Sequence, residues 1–147
     1  MVIPGKAAPL DGAGLDAVKA LDRICFGDDR GRLLEMLLGM AEAAYCVRVN
    51  RRVEGFAMVL PSTAGVRLGP CVAENRAATE ELLASVLVRF PETPIVVGVP
   101  SVNRMAVELL ESHGFTWTPP SLRMLRGEAT AESDPDKLVA VASGATG

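Results

Sequence analysis

Disulfides and zinc have little to work with in this chain. Its three cysteines, Cys25, Cys46 and Cys71, are odd in number and widely spaced, and no C-x-x-C pattern occurs. They read as small buried hydrophobes in a reducing compartment, and no metal site is expected. Charge of one sign is also scarce. A net charge of −3 gives no electrostatic reason to expect nucleic acid or an anionic membrane as partner. No apolar run reaches the ~18 residues of a membrane span, and the N-terminus lacks a charged-then-apolar leader pattern, so the expected location is the cytoplasm. Internal repeats and low-complexity tracts are missing as well.

What remains is a globular composition. Half the residues are apolar (49%), and 147 residues suffice for one domain with a core but not for two ordinary ones. Residues 1–130 are expected to form that single domain. Residues 131–147 form a tail that starts acidic and ends in the apolar patch Leu138-Val139-Ala140-Val141, suited to docking back as an extended segment.

Periodicity orders the elements. Val2-Ile3 could form a short edge strand. Leu15, Val18, Leu21 and Cys25 follow helical spacing up to a left-handed stop at Gly27. Asp28 or Asp29 caps a second helix reaching about Ala43, whose apolar face holds Leu33, Leu34, Leu37 and Leu38. Tyr45–Val49 and Val53–Leu60 read as a hairpin around Asn50-Arg51-Arg52, and Val66–Val72 as a third strand after the Pro61–Gly65 turn. A helix over Arg76–Phe90 and an almost wholly apolar strand over Ile95–Val99 follow. That apolar run predicts a strand covered on both faces. Strand, helix, strand at this spacing is a βαβ crossover, so Ile95–Val99 should pair parallel to Val66–Val72. Ser101 or Asn103 caps a last helix to about Ser112, with Gly114 as its stop, and Phe115–Thr118 and Ser121–Arg126 are read as two further strands. The fold class is a mixed α/β sheet in which an antiparallel meander gives way to a parallel crossover. Near such a junction strands splay and leave a cleft. The strand-loop-helix from Val66 to Val88 lies at that junction. Helix N-termini hold anions well because their first N–H groups lack partners.

At this point the chain resembles the GNAT N-acetyltransferase superfamily. Asn103 to Phe115, with an Asn at a helix start, apolar residues at helical spacing and then Gly-Phe, looks like that family's second acetyl-CoA motif. Leu21-Asp22-Arg23 with Phe26-Gly27-Asp28-Asp29-Arg30, followed by GFAMVLP and LGPCVA, looks like the divergent domain found as the C-terminal half of some tandem GNAT proteins. The resemblance covers about Leu15 to Gly127. It implies a GNAT-like acyl-CoA N-acyltransferase fold with splayed central strands, acetyl-CoA as cosubstrate and an amine of a small molecule or peptide as acceptor. It also implies that the pantetheine arm pairs with the backbone of Cys71, Val72 and Ala73, beyond a break at Gly69-Pro70. The pyrophosphate would sit over the helix start at Arg76, Ala77 and Ala78, and Asn103 would bind the far side of the arm.

The chain also departs from the family pattern. The glycine-rich pyrophosphate loop is replaced by Arg76-Ala77-Ala78-Thr79-Glu80-Glu81, with no glycine and two acids. The tyrosine that protonates the departing thiolate falls at Leu110. Glu74 as a base, His113 as acid or base, and Cys71 as thiolate acid or nucleophile are weighed against a solvated loop glutamate, a helix-end cation and a small buried strand residue. No catalytic residue is assigned. Asp22, Asp29 and Arg30 are expected to cap and tie the two early helices. Two functions stay open: an acetyl-CoA-dependent N-acetyltransferase, or a non-catalytic GNAT-fold binding module with a degenerate CoA loop. Either could work as a homodimer or beside a partner acetyltransferase domain.

Overall fold

The computed structural model describes residues 7–118, 134 and 136–141. The first helix, α1 (Leu15–Phe26), ends at Gly27, whose N–H still donates to the Arg23 carbonyl and whose φ of 91° turns the following chain out of the helix. The second helix, α2 (Gly31–Met40), is three residues shorter than its apolar pattern predicts. Ala41 is already extended and Ala43 opens a strand, so sheet pairing takes over the end of the pattern. Asp29 accepts the Gly31 N–H and anchors the start of α2. A two-stranded contact, β1 (Ala8–Pro9) on β2 (Ala43–Val49), borders the sheet. Val2-Ile3 lies outside the described residues.

Asn50 and Arg51 both take positive φ and turn β2 into β3 (Arg52–Ser62), a two-residue hairpin. Next comes β4 (Gly65–Ala73), antiparallel to β3. The crossover helix α3 (Arg76–Arg89) leads to β5 (Ile95–Val97), which pairs parallel to Val66–Leu68 as the spacing predicts. Helix α4 (Arg104–Ser112) follows, and β6 (Leu138–Ala140) pairs antiparallel with the far half of β4. Among the described residues the sheet order is β1-β2-β3-β4-β5, with β6 also on β4.

Alternation along β3 explains the two cores. Phe56, Met58 and Leu60 face α1 and α2, joining Val18, Leu21 and Leu34. Ala57 and Val59 face the other way and join Val66, Leu68, Leu82, Val86 and Leu109 under α3 and α4. The doubly covered strand is therefore β3. The expectation of two-faced cover for Ile95–Val99 is corrected: β5 is only three residues long, and Val96 is 49% exposed. Phe115–Thr118 also forms no strand; after the Gly114 turn it runs in irregular conformation. The expected strand Ser121–Arg126 lies outside the described residues.

Between α1 and α2 lies a buried ion pair. Arg30 binds Asp22 through Nε at 3.0 Å and through a terminal nitrogen at 2.5 Å, and its guanidinium stacks 3.8 Å from the Phe26 ring centre. It ties the two helices, as the sequence led us to expect.

Candidate functional site

The site is built around a break in β4. Opposite β3, Ala57 pairs with Cys71 and Val59 with Leu68, so Met58 alone faces the two residues Gly69 and Pro70. This is a bulge, and Gly69 carries it at a φ of 150° that side chains strain to adopt. On the other edge the break divides the neighbours. Residues Val66–Leu68 pair with β5, whereas Cys71 and Val72 pair with β6. The splay anticipated at this junction is present, and residues 137–141 lie in it. The Ala73 N–H donates to the Lys137 carbonyl (3.0 Å), and the Val141 N–H donates to the Gly98 carbonyl (2.8 Å). One short segment thus touches both parted strands.

Asn103 closes the site from below. It is 1% exposed. Its Oδ1 accepts the Ala106 N–H and caps α4, while its Nδ2 donates to the carbonyls of Asp136 (3.2 Å) and Leu138 (3.0 Å). The same side chain is both helix cap and clamp on an extended backbone. Cap and cleft contact are therefore compatible roles.

The helix wall is different. Asn75 caps α3 by accepting the Ala78 N–H (2.9 Å), and the Thr79 N–H and hydroxyl both turn to the Asn75 carbonyl. Arg76 lies on the surface with its Nε 2.9 Å from Glu80, an exposed i,i+4 pair. Glu80, one of the two acids in the segment that stands where the family has its glycine-rich loop, thus holds the arginine expected to serve a pyrophosphate. Ala77 and Ala78 form the first turn of α3, with Ala78 turned into the core.

Other candidates take ordinary places. Glu74 is held by Arg52 (2.7 and 2.9 Å) in an ion pair at the loop. The exposed His113 ends α4 with Nδ1 2.7 Å from the Leu109 carbonyl, where a donor satisfies a terminal carbonyl. Burial pushes the Cys71 thiol up to about 12. At neutral pH it stays protonated, a poor nucleophile and a poor match for proton transfer. Leu110, at the family's tyrosine position, is buried with Leu68, Leu82, Cys71 and Val139 around a small apolar void. Among the described residues no cluster of His, Cys, Asp and Glu could hold a metal ion, and no helix is long and apolar enough to cross a membrane.

Gly98 is a residue that the sequence reading passed over. A Cβ there would come within 2.8 Å of Val141 and of the Arg67 guanidinium. An isolated glycine inside an apolar strand pattern signals such close approach, and in Ile95–Val99 that signal was available.

A meander, a parallel βαβ crossover, a bulged strand and an Asn-capped helix below the splay define a GNAT-type α/β architecture. The acetyltransferase (GNAT) domain family matches residues 18–140, and the chain belongs to that family. Over 131 residues it is 28% identical to holothin acyltransferase of Pseudoalteromonas sp. (strain SANK 73390), a stretch covering 88% of this chain and 44% of that protein. A Pyrococcus horikoshii protein solved as a candidate acetyltransferase superposes with a TM-score of 0.73 at 24% identity, over 99% of this chain and 47% of its own. AAC(6')-Iy, solved with the bisubstrate analogue CoA-S-monomethyl-acetylneamine, gives a TM-score of 0.61 at 16% identity, covering 84% of this chain and 97% of that one. At these identities the solved structures bear on the fold. The chain spans about half the length of the holothin acyltransferase and of the Pyrococcus protein.

Proposed function

We propose that this chain is an acyl-CoA-dependent N-acyltransferase domain, carrying acetyl from a CoA thioester to an amine of a small molecule or peptide. The observation that carries the reading is the break in β4. Gly69-Pro70 splits the strand's edge between two partners, and Asn103 lies beneath the split with its amide aimed at extended backbone. Pantetheine is an extended chain bearing amides, so it suits the groups of Cys71, Val72 and Ala73 as an added strand does. The thioester supplies an activated carbonyl. The acceptor nitrogen attacks it, the new C–N bond replaces the C–S bond, and the amine's proton leaves through a base or water. Asn103 and the β4 backbone would position the arm. Arg76, with Ala77 and Ala78, would meet the pyrophosphate once the arginine turns from Glu80.

A second reading has its own support. The α3 start is sealed by Asn75, Arg76 is paired with Glu80, and Leu110 stands where the family's tyrosine acid falls. These favour a GNAT-fold module that binds rather than catalyses. Because the chain spans about half of two relatives, the working unit would then include a partner acetyltransferase domain or a second copy. Three free, buried thiols fit a reducing, cytoplasmic setting under either reading.

Titration calorimetry with acetyl-CoA and with desacetyl CoA tests the choice. Heat and a thermal shift at submillimolar ligand are expected. No heat and no shift at millimolar ligand, both in the wild-type chain and after a Val141→Pro substitution that loosens the C-terminal segment, would sink the transferase reading.

A further inference from the structure

The groups expected to receive a pantetheine arm already hold a chain of similar chemistry. Cys71 and Val72 pair with β6, Ala73 donates to Lys137, and Asn103 donates to Asp136 and Leu138. On the opposite strand Gly98 accepts from Val141. The side chains complete the fit, since Val139 and Ala140 are buried in the core beside Cys71, Leu109 and Leu110. An extended peptide and pantetheine both offer amide donors and acceptors on a narrow, flexible backbone. They would compete for the same row of β4 groups.

We propose that residues 136–141 are a removable intramolecular strand occupying the pantetheine lane, so that cosubstrate enters only when this strand leaves. The proposal rests on the transferase reading above. Three features suit release. The strand β6 has only three residues, so few ladder bonds hold it to β4. The Lys137–Asp134 pair beside it is half exposed and 3.6 Å long, so it adds little. The hydrogen bonds that the strand gives up at Cys71–Ala73 and Asn103 can be remade by the incoming arm, so those cleft groups are not stranded. Binding then draws on the fraction of molecules with the strand undocked, and apparent affinity falls by that fraction.

Hydrogen exchange with calorimetry on the full chain decides the matter. Saturating acetyl-CoA should accelerate exchange of the amides of residues 138–141 while β3 stays protected. Val141→Pro removes the N–H donated to Gly98 without touching β4 or Asn103, and should tighten acetyl-CoA and pantetheine binding by roughly tenfold if about a tenth of the wild type is undocked. If the proline variant fails to fold, Val141→Gly serves instead: it keeps that N–H but removes the side chain lying against Gly98 and loosens the backbone. Acetyl-CoA bound equally well by wild type and variant, with exchange at 138–141 unmoved, would overturn the removable strand and leave the transferase reading standing. A variant whose 138–140 amides exchange freely, yet which like the wild type binds neither ligand, would overturn both.

Discussion

The two walls of the cleft are finished in different ways. The strand wall offers backbone. Cys71, Val72 and Ala73 keep an edge that a second chain completes, and here residues 137–141 complete it. The helix wall has satisfied itself locally, through Asn75 on the α3 amides and Glu80 on Arg76. A β-edge cannot pair with itself, because its N–H and C=O groups point sideways at the spacing of a neighbouring strand. A helix start can be closed by one short side chain. The difference teaches where a guest must come from outside and where the chain needs none.

Alkaline pH should stress the strand side most. Burial lifts Cys71 to about 12 and Cys25, beneath the Asp134 contact, to about 11, against 9.0 for an unperturbed thiol. The folded thiols hold their protons more tightly than the unfolded ones. The stability this contributes is complete below pH 9 and is lost as pH rises through 9 toward 11 and 12. The unfolding free energy from urea titrations should stay flat from pH 7 to 8 and then fall, by roughly 2 kcal/mol per thiol at pH 11. A flat profile to pH 11 would mean that these thiols are not sealed.

The two asparagine caps compare the walls directly. Asn103→Ala removes a cap and also strips the Asp136 and Leu138 carbonyls of a donor. It should cost about 2 kcal/mol in urea unfolding and speed exchange at residues 138–141. Asn75→Ala removes the Ala78 cap and an exposed bond to Glu54, should cost about 1 kcal/mol, and should leave that exchange unchanged. Equal costs and equal exchange would erase the distinction between clamp and cap.

Arg76→Ala should matter least to folding. The Arg76–Glu80 pair is more than half exposed at the arginine, and its loss should shift stability by less than about 0.5 kcal/mol. Its informative readout is selective affinity: acetyl-CoA should weaken while dephosphorylated pantetheine does not. Equal losses for both would place the pyrophosphate elsewhere.

Much of this was legible in the residues. Leu15, Val18, Leu21 and Cys25 give α1, Gly27 stops it, and Asn103 opens α4 where its cap geometry predicts. The parallel pairing of Ile95 with Val66 follows from crossover length alone. Cover was harder to read. An apolar run such as Ile95–Val99 states what a strand tolerates, and position in the sheet decides what it receives. The strand Phe56–Leu60 gets both cores because it lies in mid-sheet. In the site, Gly69-Pro70 announced the break, and Glu80 and Leu110 announced the departures. The alignment of Asn103 with the Asp136 and Leu138 carbonyls and the approach of Val141 to Gly98 could not be read. Each joins a side chain or backbone group to another whose direction is set only in three dimensions.

By itself, the sequence determined local conformation: which segments coil, where they stop, and where β4 must break. Those outcomes depend on backbone torsions, caps and apolar spacing within a few residues. Only the tertiary structure decided what fills the break. Residues more than thirty positions beyond Asn103 meet its side-chain amide there. An open strand edge and an unpaired amide accept any extended chain of matching spacing, and which chain arrives depends on how the whole protein folds back on itself.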